Sequence, residues 1–596
     1  MPGCFRHEMP FGAQVSEEGV RFRLYAPSAT AVDVVFSTEG GERTTPLLGQ
    51  GAGWFEVVER AARAGTRYAF SLDGAALHVP DPASRFQPEG VHAPSVVVDP
   101  TGFAWNDAWN GLPWNEHVFY ELHVGTFTRE GTYAAARTRL DHLAALGITA
   151  LELMPLAECP GERNWGYDGV LPFAPSHNYG TPGDLKAFIA DAHAHGLAVY
   201  LDVVYNHFGP EGNYLHGYAP KFYTERRQTP WGAAIDVDNA DVRAFFIENA
   251  LYWTHEYRFD GLRLDAVHAI YDGQNRRFLR ELAHSVEDRS DRRVFLVLEN
   301  DHNEAPLLEA GFRAQWNDDA HHAMHVIATG EGDGYYRDYA GDPIALLGKT
   351  LTQGFGYQGD FSSYRKAVRG TPSRQLPLGS FVTFLQNHDQ IGNRPFGDRI
   401  AALAPPDALR AIVAVFLLAP SPPLLFMGEE WAASSPFLYF CDFEPELARA
   451  VTEGRRKEFA AFAAFADPAA RERIPDPSTR STFERSKLNW NEPELDAHAA
   501  WLAYYRQLLA IRRTALAPRI ANVRGTDTSS QKIGTWGLQA RFRLEDGAML
   551  TLDANLGAHD EPGFAAQPGG YVLFSTHDPA YLDSSAPPWS VRWTLT

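Results

Sequence analysis

The sequence predicts an α/β protein built around a (β/α)8 TIM barrel, flanked by an N-terminal β-sandwich and a C-terminal antiparallel β-domain. Three observations predict it. A chain of 596 residues is too long for one hydrophobic core. Residues 1–105 and 516–596 carry period-two alternation broken by Gly and Pro turns. Residues 106–515 instead interleave short apolar runs with helical periodicity, the rhythm of a parallel sheet.

In the first segment Val20, Phe22 and Leu24 alternate, as do Val32, Val34 and Phe36, and then Tyr68, Phe70 and Leu72, which suits a sandwich. The Pro- and Trp-rich stretch from Asp99 to Trp114 reads as a linker. From His117 onward one unit displays the barrel logic. Thr181 is a helix N-cap and Pro182 fits the first helical position. Leu185, Phe188, Ile189 and Ala192 share one helical face, and Gly196 can end the helix in the left-handed region. Leu197 to Val204 then runs almost wholly apolar, as a strand covered on both faces must. Eight such strands begin near Val118, Ile148, Ala198, Gly261, Val294, Arg313, Phe381 and Pro423. The long connection between Asp202 and Gly261 leaves room for a small insertion, and a helical extension spans Pro445 to Arg513. In the last segment Leu538, Ala540, Phe542 and Leu544 alternate up to a Glu545-Asp546-Gly547 turn, followed by Met549 to Leu552.

Composition excludes some classes of function. The net charge of −21 repels nucleic acid and anionic membranes but not a neutral substrate. Cys4, Cys159 and Cys441 are far apart and odd in number, with neither a disulfide framework nor metal-ligand spacing. Together with an N-terminus that lacks a basic-then-apolar signal and the absence of a bilayer-length apolar run, this gives the expectation of a cytoplasmic protein. No metal or cofactor is expected.

In a barrel the reacting groups sit at the C-terminal ends of strands. The third strand ends in Asp202-Val203-Val204-Tyr205-Asn206-His207 and the fourth in Arg263-Leu264-Asp265-Ala266-Val267-His268. The fifth ends at Glu299 and the seventh in Gln386-Asn387-His388-Asp389. Carboxylates gathered at one rim are costly to bury and need a purpose. Retaining glycoside cleavage supplies one, using a nucleophilic carboxylate and a protonated carboxylic acid about 5 to 5.5 Å apart. Asp265 and Glu299, on adjacent strands, are the natural pair. Arg263 lies two residues before Asp265, on the same side of the strand, and should keep it ionised. Glu299 should be raised by burial and nearby negative charge. Asp202 is expected to orient Arg263. Asn206 is expected to hydrogen-bond rather than to hold an obligatory metal. Glu429 and Glu430, after the eighth strand, should support the pocket's shape, with a sugar contact possible.

These four strand ends are similar to the four signature segments of the α-amylase superfamily, glycoside hydrolase family 13, and they occur in the expected order. The resemblance implies that Asp265 is the nucleophile, Glu299 the general acid/base and Asp389 a third carboxylate that grips sugar hydroxyls. It implies that His207 and His388 hydrogen-bond the sugar beside the scissile bond, and their motif context favours that role over satisfied loop histidines. In Trp165-Gly166-Tyr167-Asp168, it implies an aromatic platform at Tyr167, with Trp165 beside it in the substrate site. The segment Tyr120 to Thr128 and the N-terminal domain, which looks like a glucan-binding module, resemble maltooligosyltrehalose trehalohydrolases and glycogen branching enzymes. Asn206 to Leu215, Thr229-Pro230-Trp231-Gly232, Asp265 to Ile270, Gln386 to Asn393 and Phe483 to Trp490 resemble the former. One departure is that Asn300-Asp301 follows Glu299, where Asp or Ser is more usual in the first position.

The narrower resemblance implies hydrolysis of the α-1,4 bond next to the terminal trehalose of maltooligosyltrehalose. Water would be the second reactant, and a maltooligosyltrehalose synthase would be the metabolic partner that makes the substrate. The leaving trehalose is expected near His268 and Trp231, the latter equally readable as a core residue. A branching or debranching α-glucan enzyme with the same carboxylates is the alternative.

Overall fold

The computed structural model describes residues 4–105, 108–229, 232–273, 276–461, 467–564, 570–578 and 585–596. Eight parallel strands close a barrel in chain order: β1 (Phe119–Leu122), β2 (Ala150–Leu153), β3 (Ala198–Val203), β4 (Gly261–Leu264), β5 (Phe295–Leu298), β6 (Ala314–Trp316), β7 (Phe381–Phe384) and β8 (Pro423–Phe426). Each starts within two residues of the position expected from the apolar runs. Parallel pairing of Phe119 with Leu424 joins β1 to β8 and completes the closure.

The barrel interior is apolar at one end and polar at the other, and side-chain alternation explains how. Phe119, Ala150, Tyr200, Val297, Ala314, Trp316, Val382, Phe384 and Leu424 form one inward-facing cluster. Side chains two residues apart on a strand share a face. Two residues beyond Phe119, Ala150, Tyr200 and Val297 stand Glu121, Glu152, Asp202 and Glu299, so the same register that fills the core delivers carboxyl groups to the rim.

The helix Pro182–Ala194 forms as its sequence dictates. The Thr181 hydroxyl accepts the Asp184 N–H while the Asp184 carboxylate takes the Thr181 N–H, and Pro182 opens the first turn. Leu185, Phe188, Ile189 and Ala192 are buried against the barrel, and Gly196 has φ +75°. The connection after β3 holds a two-stranded hairpin (Tyr223–Thr229 with Gly232–Ile235) and the helix Ala240–His255. The expected helical extension contains Pro445–Glu458, Arg480–Arg485 and Asp496–Ile511.

Two sheets form the N-terminal sandwich. One contains Gly12–Ser16, Gly19–Tyr25, Leu48–Gly51 and Trp54–Glu59, and the other Val32–Thr38, Gly41–Pro46, Arg67–Leu72 and His78–Val79. Phe22 packs between them, 5.3 Å from the Phe36 ring and 4.8 Å from Tyr68. A five-stranded antiparallel sheet from Thr528–Ile533 to Ser590–Leu595 makes the C-terminal domain. The stretch read as a linker is packed rather than free. Trp109 stacks on His193 and donates to Asp260 at 2.8 Å, while Trp114 joins the interior cluster and donates to the Gly379 carbonyl at 2.7 Å. Large apolar rings placed at the open foot of a barrel gain more by covering it than by facing water.

Candidate active site

Arg263 organises the rim. Its side chain is fully buried at the end of β4, with the guanidinium 4.1 Å over the Trp316 ring. Nη1 donates to Asp202 Oδ1 and Oδ2 at 2.9 and 2.8 Å and to Asp265 Oδ1 at 2.9 Å, while Nη2 lies 3.1 Å from Glu299 Oε2. A buried cation of this kind is tolerable only because three carboxyl groups surround it. It therefore places Asp265 and Glu299 side by side.

The backbone reinforces the pair. Glu299 N–H donates to Leu264 O and Asp265 N–H to Val203 O, both at 3.0 Å, so the sheet pattern continues past the strand ends. Ala266 then turns into the left-handed region at φ +41°, ψ +48°. That conformation costs a non-glycine residue about 1 kcal/mol or more. It aims the Ala266 N–H at Glu299 Oε2, at 2.7 Å, and opens the short turn that carries His268.

The two carboxyl groups are driven in opposite directions. Burial pushes Asp265 up, but Arg263, His207 and the hydrogen bond from Asn206 outweigh it and leave it below the usual carboxylate range. Burial also lifts Glu299, and although Arg263 opposes, the negative charges of Asp265, Asp389 and Asp318 help hold it well above that range. Asp202, buried between these groups, is raised to about 6.

The remaining predicted residues separate into three groups. Tyr167, His207, His388 and Asp389 gather at the same rim. Tyr167 Oη donates to Asp202 Oδ2 at 2.6 Å, lies 2.8 Å from His388 Nε2, and its ring stacks on the imidazole with centroids 5.0 Å apart. His207 Nε2 lies 3.0 Å from the Tyr167 carbonyl, and its neighbour Asn206 donates to Asp265 Oδ2 at 2.7 Å. Asp389, in the first turn of the helix His388–Gly392, is more than a third exposed, with His388 Nε2 3.4 Å from its Oδ1. His268 accepts the Asp301 N–H on Nδ1 at 3.3 Å, and burial depresses its basicity, so the neutral ring keeps its proton on Nε2.

Trp165 departs from its expected place in the substrate site. Only 4% of it is exposed; its indole N–H donates to Leu438 O, its face stacks on Phe437 and its edge meets His388. It backs the pocket wall and has little surface to offer a sugar, because a large apolar ring with a satisfied N–H is more stable buried. Trp231 lies outside the described residues. Asp202 and Asn206 make the contacts expected of them. Glu429 and Glu430 are buried and occupied, Glu429 by Gln386 and Tyr505, Glu430 by Tyr120 and His142.

Three carboxyl groups at the rim escaped the sequence reading, and one of them, Glu152, is pushed well above the usual carboxylate range by burial and the charge of Glu121. Glu121 contacts His388, and Asp318, the first residue of the helix Asp318–Thr329 after β6, is raised to about 7 by burial despite Arg369, with Asp301, Asp319 and Asp389 adding to the rise. Extending the β6 alternation from Ala314 and Trp316 by one more step points to Asp318, a signal that was available. Among the described residues no group of three or more His, Cys, Asp or Glu is arranged to hold a metal ion, and no helix is long and apolar enough to cross a membrane.

Comparison with known proteins agrees with this architecture. Residues 10–100 match carbohydrate-binding module 48, the isoamylase N-terminal domain; residues 119–232 match the alpha amylase catalytic domain; and residues 533–593 match a domain of unknown function. A malto-oligosyltrehalose trehalohydrolase from Deinococcus radiodurans is 45% identical over 500 residues, covering 83% of this chain and 81% of that protein. One from Rhizobium sp. is 40% identical over 585 residues, covering 94% and 95%. A crystal structure of a Salmonella typhimurium protein superposes with a TM-score of 0.92 at 42% identity over 98% of this chain and 99% of that one. Relatives of such identity and coverage share more than a fold: the chain belongs to the malto-oligosyltrehalose trehalohydrolase family, glycosidases with an α-amylase-type catalytic domain.

Proposed function

We propose that this chain cleaves the α-1,4 bond adjacent to the terminal trehalose unit of maltooligosyltrehalose, with retention, releasing trehalose and a shortened maltooligosaccharide. The observation that carries the chemistry is one buried guanidinium shared by two carboxyl groups whose protonation is driven in opposite directions. Asp265, held ionised, attacks the anomeric carbon. Glu299, held protonated, gives its proton to the departing trehalose oxygen. The maltooligosyl–Asp265 ester is then hydrolysed by water, with Glu299 now acting as base. Asp389 grips the sugar hydroxyls and favours the distorted ring. Tyr167 supplies the apolar face beneath that sugar, and His207 and His388 hydrogen-bond it. His268, with its Nε2–H, is assigned to the leaving-group side. The choice of trehalose rests on the names of relatives that align over most of the chain.

The test is to incubate the protein separately with maltooligosyltrehalose, plain maltooligosaccharide and amylopectin. Trehalose as the main product of the first, with the new reducing end appearing initially as the α-anomer, is the expected result. An absence of trehalose together with new or lost α-1,6 branches in amylopectin would overturn the assignment.

A further inference from the structure

His388 is almost completely buried, and its two ring nitrogens point to different partners. Nδ1 lies 2.5 Å from Glu121 Oε1, and the His388 backbone N–H donates to Glu121 Oε2 at 3.1 Å. Nε2 lies 2.8 Å from Tyr167 Oη and 3.4 Å from Asp389 Oδ1. The single Tyr167 hydroxyl proton goes to Asp202, so toward His388 that hydroxyl must accept, and Nε2 must carry a proton. The Glu121 carboxylate offers only lone pairs, so Nδ1 must carry one too. With the Glu121 carboxylate and the Tyr167 hydroxyl both acting toward the ring as acceptors, this geometry calls for a donor at each nitrogen, which is the imidazolium form.

We propose that Glu121 is a positioning residue of the active centre: from β1 it grips both the ring and the backbone of His388 and holds that side chain as a fixed cation, its Nε2–H turned toward Tyr167 and Asp389. The inference adds to the proposed reaction a residue that never touches substrate. Glu121 is 1% exposed inside the barrel, and its two oxygens are engaged by the His388 ring and the His388 backbone N–H. The groups facing His388 are Glu121 and Asp389, with Arg263, Asp202, Glu152, His123 and Tyr167 around them. Burial alone would make the imidazole a weaker base, but Asp389 and Glu121 outweigh it and lift His388 to about 9. Without Glu121 the ring loses one of the two negative charges that hold its second proton, and the Nδ1 proton would leave at lower pH while Nε2 keeps its own toward Tyr167.

The decisive variant is Glu121→Gln. Its side-chain carbonyl can still accept from Nδ1, but its amide meets the His388 N–H donor to donor, and the negative charge is gone. The full chain is labelled with 13C-histidine, and the His388 signal is assigned by its loss in His388→Gln. In the unmodified protein the signal should titrate near pH 9, and in E121Q at least one pH unit lower, with E121D in between. Turnover at neutral pH should fall about ten- to a hundred-fold in E121Q, as for other losses of a residue that orients a working histidine, with KM changing less and E121D recovering part of kcat. An unchanged His388 titration in E121Q, or wild-type kcat in it, overturns the proposal. So does a His388 that titrates below about pH 7 in the unmodified chain, a result that does not depend on whether E121Q folds. The titration needs no substrate, so its failure is distinct from failure of the trehalose assignment.

Discussion

Replacing Arg263 by Gln should reshape the pH profile, and it should lower stability as well because it strands the carboxyl groups around it. The guanidinium contacts Asp265 at 2.9 Å and Glu299 at 3.1 Å from a fully buried position, and its positive charge lowers the basicity of both. A unit charge at about 4 Å in an effective dielectric of about 20 is worth about 4 kcal/mol. At about 1.4 kcal/mol per pH unit, its loss should move the acid limb of kcat/KM up by about 3 pH units. The sign follows from the chemistry. Asp265 must be ionised, so activity is lost as pH falls through its depressed pKa, and raising that pKa brings the loss nearer to neutrality. Glu299 must be protonated, so activity is lost as pH rises through its elevated pKa, and without Arg263 that limb also moves upward. The assay is initial-rate kcat/KM for release of the leaving group across the pH range, alongside a thermal melt. Arg263→Lys should give a smaller displacement, because an ammonium cannot hold the carboxyl groups in the same fork. An acid limb that stays in place in R263Q, with the protein still folded, would refute the argument that Arg263 holds Asp265 ionised.

Other consequences can be measured independently. Asp265→Asn and Glu299→Gln should each lower kcat by about a thousand-fold or more while the melting temperature changes little; near-normal turnover in either removes that residue from the pair. Arg369 pairs with the buried Asp319, whose other oxygen takes the N–H groups of Gly356 and Tyr357, so Arg369→Met should cost about 3 to 5 kcal/mol in denaturant unfolding by stranding that charge. Thr181→Ala removes a two-way helix cap and should cost about 1 kcal/mol by the same measurement, with kcat/KM unchanged.

Some of this molecule is legible from local pattern alone. The alternation of Val20, Phe22 and Leu24, the capped helix after Thr181 and the apolar runs that became β1 to β8 are local properties, because strand and helix periods repeat over a few residues and need no knowledge of distant partners. The same is true of Asp265, Glu299 and Asp389, since the end of an apolar run in a barrel is by construction the reactive rim. The placement of Trp165 was not legible, because whether an aromatic faces a sugar or a neighbouring Phe437 depends on a loop that arrives after β8. Nor was the packing of Trp109 and Trp114, which depends on where the barrel leaves its foot open.

The sequence by itself determined the barrel, its two β-domains and the rim positions of Asp265, Glu299 and Asp389. Only the tertiary structure decided that Glu299 shares the charge of Arg263 with Asp202 and Asp265. Arg263 touches Asp202, Asp265 and Glu299 because β3, β4 and β5 are hydrogen-bonded in register, a relation that their separate sequences do not contain. Glu121 meets His388 because barrel closure brings β1 round to β8, beside β7, so residues 267 positions apart become hydrogen-bonded partners. Protonation follows from that proximity, because a charge's energy falls with distance and with the dielectric around it, and both are fixed only once the chain has closed.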